Sequence, residues 1–232
     1  MQSFLFVNYL IYDILVLVIV MISILMYIST GLIIFGFLLY FVMFLLNNKK
    51  IIDSNDGFNV TKDILREYDS INIVENKSIF TVYNIKRKVI KIASKCYYGN
   101  SVSDIAIPLM EAGISAIDNN HNKYINFFRK IINNLKLLYI LPVLALLING
   151  ISYNINDALL GLFLLVIFMG VNYILIDIKS NAYTWLSENL KLIKENDVDK
   201  ILHFVNRIIL CDKIIFIGEL VMIIRFVGIL LQ

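Results

Sequence analysis

Residues 3–46 read SFLFVNYLIYDILVLVIVMISILMYISTGLIIFGFLLYFVMFLL, and Asp13 is the only charge in the stretch. A bilayer-spanning helix needs about 20 predominantly apolar residues. This block is long enough for two. The rest of the chain agrees: 59% of the residues are hydrophobic, 17% are charged and the mean hydropathy is +0.77. Soluble domains carry about 45–50% apolar and about 25% charged residues. The excess excludes a soluble enzyme, a disordered tail, a collagen and a disulfide-rich secreted scaffold. An integral membrane protein is expected. Ser29-Thr30-Gly31 is the natural break, predicting an N-terminal transmembrane hairpin over 1–46, with helices near 5–28 and 31–46. The alternative is an interfacial piece up to Asp13 followed by one long kinked span. No basic region precedes the apolar block, so a cleaved leader is not expected.

Further apolar blocks run from Leu137 to Gly150, Ala158 to Ile178 and Ile214 to Leu231. The predicted fold class is therefore mainly α: a polytopic membrane protein with about five transmembrane helices and a small cytoplasmic α+β segment. The parts are the hairpin 1–46, a cytoplasmic α+β segment 47–136, two transmembrane helices in 137–178, a cytoplasmic helical segment 179–212 and a C-terminal transmembrane helix 213–232. The segment 47–136 holds 14 of the 21 Lys and Arg residues and 179–213 holds 6. The positive-inside rule weighs Lys49, Lys50, Arg129, Lys130, Lys136 and Lys179 most, because they flank spans. It puts both polar segments in the cytoplasm of a multi-pass protein of the cytoplasmic membrane, with Met1 inside and Gln232 outside.

Within the cytoplasmic segment the hydrophobic period changes. Val60 to Tyr68 reads as a short helix with Leu65 on its apolar face. Ile71 to Val74, Ile79 to Tyr83 and Val89 to Ile92 read as strands, the last two forming a β-hairpin about Asn84-Ile85-Lys86-Arg87. Ser101 followed by Asp104 opens a helix that runs through Met110 to about Asn119, kinked by Pro108.

This order of parts resembles the bacterial membrane-bound neutral zinc metallopeptidases of the zinc peptidase 2 type, over about residues 31–232. Tyr83-Asn84, Val89-Ile90-Lys91-Ile92, Ser101 and Met110-Glu111-Ala112-Gly113-Ile114 carry the resemblance. Asp177 and Ala182 match the spacing of the family's E-x-D-x-x-x-x-A stretch. The family chemistry rests on H-E-x-x-H, in which two histidines on one helical face hold zinc and the Glu takes a proton from the metal-bound water. Here Met110 and Ile114 stand at the histidine positions, while Glu111 remains at the base position of the degenerate helix 101–120. The third ligand position falls on Leu175, or on Ile176 in a shifted register. Without zinc the attacking water is not acidified, so no cofactor and no hydrolysis are expected. The resemblance implies a pseudopeptidase whose partners are the bilayer and a membrane protein or peptide, including an active homologue. Two alternatives stay open: an active metallopeptidase with zinc in a non-standard site, and a small membrane transporter or scaffold.

Other chemistry is sparse. The two histidines, His121 and His203, have no ligand spacing between them, and both read as lightly packed imidazoles. Ser101, Ser103 and Ser115 lack a nucleophile elbow, and no phosphate loop is present. Cys96 and Cys211 read as reduced, inert thiols. No dense basic run suggests nucleic acid. Asp13, Glu219 and Arg225 fall inside apolar blocks, where ionisable residues are functional candidates. Glu219 and Arg225, six residues apart, do not share a helix face and are expected to snorkel outward. Asn181–Asp212 alternates at helical spacing and reads as a helical pair lying on the membrane surface, with Trp185 at the interface.

Overall fold

The computed structural model describes residues 2–48, 52, 56–66, 68, 70–78, 80–118, 147, 155–190 and 195–231. Six helices and three strands make up these residues: α1 Gln2–Asn47, α2 Gly57–Ile64, β1 Asn72–Asn76, β2 Val82–Asn84, β3 Val89–Ala93, α3 Ser94–Tyr98, α4 Val102–Asp118, α5 Ile155–Asn189 and α6 Glu195–Leu230. They fall into two compact units. One is drawn from 1–36, 139–170 and 214–232, the other from 37–138 and 171–213.

The expected hairpin over 1–46 is corrected. α1 is one helix of 46 residues that passes through Ser29-Thr30-Gly31 without a break. Ser29 Oγ donates back to the Met26 carbonyl at 3.0 Å, as Ser23 Oγ does to that of Ile19. Both hydroxyls are thus satisfied by their own helix. In apolar surroundings a broken turn would leave backbone groups without partners, so continuing the helix is the lower-energy course.

Among the described residues two helices are long and apolar enough to cross a membrane, Val16–Asn47 and Ala158–Asn189. The span expected at 137–150 lies outside the described residues, apart from Leu147. The boundaries expected at 178/179 and 212/213 are not breaks either, because α5 and α6 run straight across them. Side-chain polarity changes there, but the backbone ladder does not depend on it.

In the first unit α6 lies close against α1. A Cβ on Gly218 would sit 2.7 Å from Ile33 Cγ1 and 3.1 Å from the Ser29 carbonyl, so only glycine permits this approach. Glu219 and Arg225 are both buried, which corrects the expectation that they snorkel. Their helix turns outward Ile217, Leu220, Ile224 and Val227 instead. The side chain of Asp13 lies outside the described part of α1.

The second unit is built on a three-stranded sheet of order β1-β3-β2. β3 is central because its Ile90 and Ile92 alternate into the core, both fully buried. The predicted hairpin is present, with Tyr83 opposite Ile90 in the antiparallel β2–β3 pair. Its turn occupies 85–88, and Lys88 takes a left-handed φ of 49°. β1 pairs with β3 in parallel, Asn72 opposite Val89. The first predicted helix begins earlier than expected, at Gly57, because Asp56 caps it by accepting the Asn59 N–H at 2.8 Å. The cap predicted on α4 is present: Ser101 Oγ accepts the Asp104 N–H at 3.2 Å and donates to Asp104 Oδ2 at 2.5 Å. α4 continues through Pro108.

The core of this unit joins the sheet and α4 to Leu186, Leu190, Ile201, Phe204 and Ile208. The reading of 181–212 as a pair lying on the membrane surface is thereby corrected. Its apolar stripe packs inward, at about 1.5–3 kcal/mol for each fully buried aliphatic side chain. Trp185 is half-buried and stands edge-on to Tyr68, ring centroids 6.1 Å apart.

Candidate functional site

The site expected from the sequence centres on α4. Glu111 is half-buried, and its Oε2 accepts the backbone N–H of Tyr83 at 2.8 Å. That N–H belongs to β2, an outer strand of the sheet, and points away from β3. The carboxylate therefore satisfies a donor that the ladder leaves over. Tyr83 itself is fully buried, with its hydroxyl 3.3 Å from Asp118 Oδ2 at the far end of α4. One tyrosine thus binds α4 at two points two turns apart. Burial pushes the Glu111 carboxyl up to about 7, opposed by the Tyr83 N–H and by the charge of Lys179.

α5 crosses α4 at Gly113. A Cβ there would stand 3.0 Å from the Ala182 carbonyl and 3.1 Å from Ala182 Cβ, so the two backbones nearly touch. This crossing sets Glu111 within the field of Lys179, whose ammonium is held at 2.6 Å by Asp212 of α6. The sequence reading did not find that ion pair. Its partners lie 33 residues apart, with no periodic signal linking them.

Met110 is buried, Ile114 is half-buried, and both join the core around the sheet. Ile176 packs on the same core, whereas Leu175 is half-buried and is not part of it. Asp177 is exposed and accepts from Asn181 Nδ2 at 3.3 Å. A thioether and aliphatic side chains offer zinc no imidazole or carboxylate, so Met110, Ile114, Leu175 and Ile176 do not fit the metal that the resemblance implies. Among the described residues no three His, Cys, Asp or Glu side chains gather into a cluster able to hold a metal ion. His203 is exposed on α6, and His121 lies outside the described residues.

The remaining candidates have local roles. Ser101, Ser103 and Asp104 form a buried knot at the start of α4, and Ser115 Oγ donates to the Ala112 carbonyl at 2.7 Å. Cys96 and Cys211 are free and buried, and burial, with Asp104 nearby, pushes the Cys96 thiol above its usual range. Chemically, Glu111 is a carboxylate committed to a backbone donor. Its partner was invisible to spacing because strand β2 lies 28 residues away. No protein-family model, curated protein or solved structure matches the chain.

Proposed function

We propose that this chain is an integral membrane protein built like a metallopeptidase but without its catalysis, acting by binding at the membrane. The membrane part rests on exposed apolar surface. Leu17, Tyr27, Phe41 and Phe163 are each more than 60% exposed, on helices whose most apolar windows are only 17% buried. Water does not tolerate a continuous apolar patch of that extent, whereas lipid does. The end of α6, 214–231, serves as a further span. Its exposed Ile217, Leu220, Ile224 and Val227 face lipid while Glu219 and Arg225 face inward.

A continuous α1 also revises the topology. At 1.5 Å per residue its 46 residues reach roughly 69 Å, about twice the hydrocarbon thickness, so it crosses once. With the basic segments 47–136 and 179–213 in the cytoplasm, Met1 then lies on the opposite side.

The observation that carries the non-catalytic reading is the α4–α5 crossing at Gly113 and Ala182. It brings the helix of Glu111 against the helix of Asp177 and Ala182, the two segments that carry the resemblance, yet the positions that should bind metal carry Met110, Ile114 and Leu175. Glu111 in turn holds a strand instead of a water. The test is the zinc content of the detergent-purified full chain after a mild chelator wash. Less than about a tenth of an equivalent is expected from a site whose three metal positions carry no imidazole, thiolate or carboxylate. Near one equivalent, lost on Glu111→Gln together with proteolysis, would overturn the reading.

A further inference from the structure

A groove of about 520 Å³ opens in the second unit between the end of α1, α5 and the first turns of α6. None of its lining residues belongs to the Glu111 site. Asn47, Tyr183, Asp199, Lys200, Leu202, His203 and Asn206 line it. On α6 Asp199, His203 and Asn206 make one polar face, because they follow the i, i+4, i+7 spacing. Lys200 keeps one donor on the buried Asp197 at 2.8 Å and is otherwise half exposed. Arg207, one turn beyond His203, rests on Met43 Sδ at 3.5 Å beside the groove.

Two features identify the occupant. The first is charge. The groove brings a carboxylate, Asp199, and a phenol ring, Tyr183, together with an ammonium, an imidazole and two amides. A plain anion would be repelled by Asp199 and a plain cation by Lys200. A group carrying both signs a few ångströms apart satisfies both. The second is position. Leu46 is exposed on α1 immediately before Asn47, where that apolar helix ends. The α1 wall therefore changes from polar to apolar at the groove, as expected where a surface passes from water into hydrocarbon.

We propose that this groove seats the zwitterionic headgroup of a phospholipid, a phosphate bearing a primary ammonium. The phosphate takes hydrogen bonds from Lys200, His203 and Asn206, the ammonium pairs with Asp199 against the Tyr183 ring, and the acyl chains run along the exposed Val42 and Leu46 of α1. The proposal rests on the membrane reading above and is independent of any peptidase ancestry.

The test is native mass spectrometry of the detergent-solubilised full chain with added phosphatidylethanolamine or phosphatidylglycerol. The first should be retained about tenfold more strongly, the equivalent of about 1.4 kcal/mol. Asp199→Lys should reverse the preference, while Asp63→Lys, the same charge change at an exposed site on α2, should leave it unchanged. Equal retention in the unmodified chain, or the same shift from both substitutions, would overturn the proposal. Water-soluble phosphoethanolamine displacing the lipid at equal concentration would overturn the lipid as the source. Retention of phospholipid without headgroup preference sinks only this inference, whereas a chain that retains no phospholipid at all sinks the membrane reading too.

Discussion

The backbone N–H of Tyr83 and Oε2 of Glu111 are 2.8 Å apart, and that bond joins the edge of the sheet to the middle of α4. Removing the acceptor takes a hydrogen bond from the backbone of a fully buried residue. Glu111→Ala should therefore destabilise the chain by about 1–3 kcal/mol. Glu111→Gln keeps an acceptor oxygen and should unfold close to the unmodified chain. Thermal unfolding in detergent, read by circular dichroism, compares the two. Equal losses for Ala and Gln would show that the bond does not hold α4 to β2.

The same carboxyl makes stability depend on pH. Burial raises it from 4.5 to about 7 in the folded chain. In that window the folded chain keeps a proton that the unfolded chain has released, so stability falls as pH rises. The contribution is fully present below about pH 4.5, where both states are protonated, and is lost once pH passes about 7. Melting temperature should thus decline between these values, and Glu111→Gln should flatten the decline. An identical slope in the variant would assign the effect to other groups.

Gly113 should tolerate no side chain. A Cβ would press on Ala182 at 3.0–3.1 Å, and both contacted atoms belong to or sit directly on backbone that cannot swing aside. Gly113→Val should cost about 1–3 kcal/mol, as overpacking generally does. Gly31→Val is the control, because nothing lies within 4 Å of its Cβ position. Unfolding midpoints should separate the two variants. Matching midpoints would mean that the α4–α5 crossing yields at little cost.

An unbroken α1 predicts that a reporter fused before Met1 and one inserted near Gly99 label opposite faces of the membrane. Membrane-impermeant thiol labelling of single cysteines at residues 2 and 100 in intact cells tests the same point. Labelling of both from one side would restore the hairpin.

How much of this could be read from the sequence depends on the range of the interaction. The hairpin turn, the three strands and the Ser101–Asp104 cap were legible because each is written in residues a few positions apart. The break at Ser29-Thr30-Gly31 was misread because residues that end helices in water are satisfied internally by a helix in apolar surroundings, as Ser29 is by Met26. The segments at 178/179 and 212/213 were divided at changes of polarity that the backbone ignores. Glu219 and Arg225 were placed by their distance from helix ends, whereas α1 packing at Gly218 shows that this face of α6 turns inward. At the candidate site, the residues at the metal positions could be named from spacing alone. The Tyr83 donor, the parallel β1–β3 pairing and the Lys179–Asp212 pair could not, because each joins positions with no sequence period between them.

The contact between Gly113 and Ala182 also sets a timetable for biosynthesis. The two residues are 69 positions apart in the chain. At about 5–20 residues per second, roughly 3–14 seconds separate their emergence from the ribosome. Throughout that interval α4 has its sheet but not the helix that covers its other side. Newly made chains should therefore pass through a stage that recruits chaperones or quality-control proteases, ending when α5 is delivered. Truncation before Ala182 would make that stage permanent.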